Sequence, residues 1–116
     1  MFQSGYFSFK GDTAASFGAL MPDLQGNLIM VFEKMSHTIN PEVDYTSRRV
    51  TFTPGLFHDG GLTLKAGVAA AQRYGRWGDY EAASYDGFTT NHLWFAGEYA
   101  TSNGDWSTYI GESKFK

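Results

Sequence analysis

The sequence predicts an all-β chain of antiparallel sheets, and three features carry that prediction. Aromatic residues make up 17% of the 116 positions and stand beside fourteen glycines, pairing side chains that fill pleated faces with residues that close turns. Turn signals recur at short intervals: "QGN" at 25–27, "TPG" at 53–55, "HDGG" at 58–61, "YDG" at 85–87 and "SNGD" at 102–105. Between them lie runs that alternate with the period of two expected of a half-buried strand, most clearly over His92–Ala100.

In chain order, Tyr6–Phe9 and Phe17–Met21 read as short strands. Leu28–Ser36 opens with an unbroken apolar run, Leu28 to Phe32, as a strand covered on both faces would. Glu42–Phe52 mixes Val, Tyr, Thr and Arg and reads as a strand. "LKAGVAAAQRY", Leu64–Tyr74, pulls the other way. Its consecutive alanines favour a short helical turn near 66–73, weakened by Gly67 and capped by Gly75. In His92–Ala100, Leu93, Phe95 and Tyr99 point one way, while His92, Trp94, Ala96 and Glu98 point the other. Trp106–Gly111 alternates too, setting Trp106, Thr108 and Ile110 against Ser107, Tyr109 and Gly111.

Composition narrows function mainly by exclusion. A formal net charge of −3, with basic residues clustered only at Arg48-Arg49 and Arg73/Arg76, argues against nucleic acid as a partner. The absence of cysteine removes disulfides, thiolate chemistry and cysteine-held zinc. No apolar run approaches the length of a membrane helix, so no membrane partner is expected. The opening "MFQSGYFSFKGD" lacks the basic and then apolar segments of a signal peptide, which leaves the compartment open.

A weak internal repeat organises the chain. "LMPDLQGNLIMVFEKMS" (20–36) lines up with "ASYDGFTTNHLWFAGEYA" (83–100), matching Asp23 to Asp86, Asn27 to Asn91 and Ile29–Phe32 to Leu93–Ala96. Each copy reads as a strand, a turn with Asp and Gly, an aromatic strand, a polar linker and a strand. Such a unit cannot bury both faces alone and must stack on a neighbour. The expectation is therefore one domain over 1–116, with a first blade-like repeat at about 14–65 and a second at about 76–116. The strand at 6–9 would pair with the C-terminal strand, in the same chain or a partner, as closure hides sheet edges.

The segments "GNLIMVF", "INPEVDYTSRRV", "GRWGDYEAASYDG", "LWFAGEYA" and "WSTYIGESKF" resemble the last two blades of sialidase-like β-propeller proteins, a bacterial and mostly extracellular group. The resemblance covers roughly residues 17–116. Its most specific part is Arg76-Trp77-Gly78-Asp79-Tyr80, with Glu98-Tyr99 and Trp106 to Gly111. It implies two four-stranded antiparallel blades and says less about a reaction. "SYDGFTTNHLW" is not the Asp-box of true sialidases, Tyr109 stands where the group usually has Arg, and complete propellers have more blades.

Candidate site residues gather around that motif. Glycosidases set two carboxylates about a scissile bond, whereas sialidases use a tyrosine activated by a glutamate, with arginines on the substrate carboxylate. Asp79, Tyr80 and Glu98 are the candidate catalytic groups, with Glu81 and Tyr99 beside them. Arg76, Trp77, Arg48, Arg49 and Trp94 are the candidate binding groups. The plainer alternative is favoured. Arg76 and Asp79 would pair across a turn, Trp77 and Tyr80 would pack between blades, and Trp94 would lie in the interior. His37, His58 and His92 show no metal-ligand spacing, and Asp59 and Asp105 lack the calcium-loop rhythm, so neither a metal site nor a cofactor is expected. The functional expectation is a non-enzymatic binding or structural module that binds its own copies, a protein partner or a glycan, or that belongs to a larger propeller. The alternative is a sialidase-like glycoside hydrolase or a degenerate relative.

Overall fold

A computed structural model of the chain describes residues 4–58, 60–71, 77–89 and 91–115, and among them every regular element is a strand. β1 (Ala14–Pro22), β2 (Leu28–Met35), β3 (Glu42–Arg48) and β4 (Leu62–Lys65) form an antiparallel sheet in that order. β5 (Ala82–Tyr85), β6 (His92–Ala100) and β7 (Trp106–Lys114) form the second. β1 lies against β5, β2 and β3 against β6, and β4 against β7, so the strand order is kept between the sheets. The all-β antiparallel expectation holds, but among the described residues the second sheet has three strands, not four. Ahead of β5, residues 77–81 form no strand, and the Gly78 N–H donates to the Glu98 side chain at 3.1 Å.

β2 is buried on both faces, as its apolar run predicts. Ile29 and Val31 pack with Val43 of β3 and with Leu93 and Phe95 of β6 in one core cluster. Phe32 turns to the opposite face and lies under Phe7 and Phe9, with ring centroids 5.0 and 6.0 Å away. Withdrawing each such side chain from water contributes roughly 1.5–3 kcal/mol. Beside Phe32, Lys34 bridges Glu42 at 2.7 Å and the buried Asp44 at 2.6 Å, and the Phe9 ring sits 5.8 Å from its ammonium.

Two expectations fail, for identifiable reasons. Tyr6–Phe9 forms no strand and does not pair with β7. Instead Phe7 and Phe9 act as a lid on the first sheet, with Phe7 also edge-on to Phe57 at 5.9 Å. Rings laid over Phe32 bury apolar area that a strand at a sheet edge would leave wet. The helical turn near 66–73 is absent over 66–71, and residues 72–73 lie outside those described. Val68 N–H donates to the Ala100 carbonyl at 2.8 Å, and Ala100 N–H donates to the Pro41 carbonyl at 2.9 Å. A Cβ on Gly67 would collide with that Pro41 carbonyl. These contacts stitch the first sheet to the end of β6 and override alanine's helix propensity.

The two copies also share hydrogen-bond partners. Asp23 Oδ1 accepts from the Gln25 and Asn27 amides, both at 2.9 Å, and Asn27 Oδ1 accepts from Val50 N–H at 3.0 Å just past β3. In the second copy Asp86 Oδ1 accepts from Phe88 N–H at 2.8 Å, and Asn91 Nδ2 donates to the Phe115 carbonyl at 2.7 Å just past β7. In each copy the aspartate shapes a turn and the asparagine clamps the end of the third strand.

Candidate functional site

Two sites emerge, one on each face of β2. On the outer face of the first sheet, the alternation of β3 puts Arg48 in register with Leu28 of β2. A cavity of about 420 Å³ opens there, lined by Phe7, Leu20, Leu28, Met30, Leu56 and Phe57 together with Arg48. Arg48 is 5% exposed. Its Nη1 donates to the Arg49 and Phe52 carbonyls, both at 3.3 Å, while its buried Nε has no partner. Among the described residues no carboxylate pairs with it. A buried guanidinium normally recovers its lost hydration from a paired acid. Arg48 instead forms part of the wall of the apolar cavity.

On the inner face, Glu33 of β2 follows Ile29 and Val31 at the two-residue period and so is carried into the contact between sheets. It is fully buried. Glu98 of β6 is 2% exposed, and Glu81 enters just before β5. One carboxylate oxygen from each of the three lies within 4.8 Å of the others. Glu98 Oε2 accepts from Gly78 N–H at 3.1 Å, but both oxygens of Glu33, one of Glu81 and the Trp77 Nε1 are buried without a partner at good hydrogen-bonding geometry, with the Trp77 indole and the Glu81 carboxyl near enough to Glu33 to act on its charge. Burial, and then the Glu81 carboxyl beside it, push the Glu33 pKa up to about 10. Burial also raises the Glu98 pKa, partly offset by the Gly78 N–H. The turn that supplies Gly78 is fitted closely. Phe17 sits in the bulge of β1 with a φ of 52°, and a Cβ on Gly78, whose φ is 86°, would run into the Phe17 ring.

The candidate residues are divided between buried and exposed positions, although Asp79 stands near enough to Glu98 to raise its pKa. Asp79 and Tyr80 are exposed, with the Tyr80 ring tilted over Trp106 at 5.4 Å, whereas Glu98 is buried. Tyr80 therefore does not pack between the sheets. Trp77 is half-buried beside the acids, Arg49 is exposed, and Arg76, with the proposed Arg76–Asp79 pair, lies outside the described residues. The interior place expected for Trp94 is also not found. It is 43% exposed and its Nε1 donates to Asp86 Oδ2 at 3.3 Å, because Leu93 and Phe95 take the core face of β6. Glu33 escaped the sequence reading, although a charged residue continuing the Ile29, Val31 alternation was its signal.

No protein-family model, curated protein or solved structure matches the chain.

Proposed function

We propose that the chain is a non-enzymatic binding module of blade-like sheets, as its resemblance to sialidase-like propellers suggests, and that the Arg48 cavity takes a small amphipathic carboxylate. The observation that carries this reading is a buried arginine, without an acid partner among the described residues, on the wall of an apolar cavity. The cavity volume falls in the range of small-molecule sites, where a few placed polar groups fix orientation. A carboxylate would give Arg48 a bidentate partner while its apolar body displaces water from Leu28, Met30 and Phe57. The hydrolase alternative has less support, since Glu98 is buried with its Oε2 engaged by the Gly78 N–H, while Tyr80 is exposed against Trp106.

Calorimetry with decanoate, and with uncharged decanol as the control, tests the proposal. Decanoate binds, decanol binds more weakly, and Arg48→Met lowers decanoate affinity by at least about tenfold, the equivalent of one charge-assisted hydrogen bond. Leu56→Trp, at an exposed position on the cavity rim, blocks entry if Arg48→Met does not fold. Equal binding of decanoate and decanol, or of wild type and both variants, would sink the reading.

One observation favours a second, compatible reading. The outer face of the second sheet carries Trp94, Trp106 and Ile110 at 43%, 57% and 65% exposed. Such a face supports self-association, a further blade of a longer propeller, or stacking on a glycan. Light scattering tests self-association, for which a concentration-independent monomer is the contrary result.

A further inference from the structure

We propose that Glu33, Glu81 and Glu98 form a calcium-binding site that joins the two sheets. The acids alone would not establish this, since acidic groups often cluster without an ion. The second observation is Glu33. It is fully buried, it is directed at the other two acids, and neither of its oxygens has a partner at good hydrogen-bonding geometry, although the Trp77 indole and the Glu81 carboxyl stand close enough to act on its charge. An ionised carboxylate left so is among the costliest groups to bury. Among the described residues no cation is paired with these three acids, and Lys34, the next residue along β2, is engaged on the opposite face by Glu42 and Asp44.

The donor set selects the ion, at a spacing that calcium can span. Two oxygens on a shared calcium, each at about 2.3–2.6 Å, stand at most about 5 Å apart. A separation of up to 4.8 Å suits that sphere. Magnesium keeps several of its waters and is seldom held by a cage made wholly of protein groups, so three carboxylates brought together favour calcium at this site. Three carboxylates on β2, on β6 and ahead of β5 would then be joined by one ion, which explains why a charge is tolerated at the Glu33 position. A proton held on Glu33 is the competing account, and the test separates the two.

Chelator-treated full-length chain is dialysed against radiolabelled calcium, with magnesium as competitor. The expected result is about one calcium per chain, displaced far more readily by unlabelled calcium than by magnesium, with affinity reduced at least about tenfold in Glu81→Gln. Glu81 is the least buried of the three acids, so this variant is the least disruptive to packing. Terbium provides a second readout in the unmodified protein. Trp77 adjoins the acids, so terbium emission sensitised by tryptophan should appear and be quenched by added calcium. No retained calcium, calcium binding unchanged in Glu81→Gln, or terbium emission insensitive to calcium overturns the site and leaves a protonated Glu33 as the explanation. The Arg48 cavity is on the other face of β2, and its ligand test stands or falls separately.

Discussion

Replacing Glu33 by Gln gives the sharpest test of how the acids are accommodated when no ion is supplied. The folded-state pKa of Glu33 is about 10, raised first by burial, against 4.5 for the free side chain. The folded chain therefore holds a proton that the unfolded chain releases. The stability this proton brings is complete below pH 4.5 and is lost progressively as pH rises toward 10. By pH 7 the loss is on the order of 3 kcal/mol, a large fraction of a small domain's stability. Glutamine has nearly the same volume and no charge, so Glu33→Gln should remove that loss. Urea unfolding in the presence of chelator, at pH 5, 7 and 8.5, should show the variant equal or weaker at pH 5 and more stable at pH 8.5. Parallel pH profiles for the two proteins would refute the buried, proton-holding Glu33.

Gly78→Ala should destabilise the chain by at least about 2 kcal/mol, since it combines a left-handed backbone with a collision against Phe17, and thermal melting will read the loss. An unchanged melting temperature would mean that this turn is not held against the β1 bulge. Phe32→Ala should cost about 3–5 kcal/mol and also free the N-terminal lid, so limited proteolysis should cut near residues 4–9 faster than in the parent. Destabilisation without faster cleavage there would separate the lid from Phe32.

Much of the architecture could be read from local pattern, because strand periodicity and turn chemistry are short-range signals. The apolar run at Leu28–Phe32 announced a strand buried on both faces, and β2 is that strand. The alternation of His92–Ala100 was also correct, but it divided the residues between two faces without saying which was the core. Trp94 was consequently placed inside, whereas Leu93 and Phe95 occupy that side. At Leu64–Tyr74 the alanines spoke for helix and long-range bonds from Val68 to Ala100 decided against it. Tyr6–Phe9 had the composition of a strand, and only the presence of Phe32 opposite made covering a face the better use of its rings.

The candidate sites were less readable still. Arg48 was singled out among the binding groups, but nothing local showed that it would be buried beside an apolar cavity with no acid partner among the described residues. Glu33 is 48 residues from Glu81 and 65 from Glu98 along the chain, so no motif could join them. By itself the sequence determined the strand class and the turns, because period-two alternation and turn residues act within a few positions. Tertiary structure alone decided which faces met, and with them the burial of Arg48 and the meeting of three carboxylates. The reason is physical: desolvation and charge proximity depend on what lies opposite in space, and sequence spacing does not encode that.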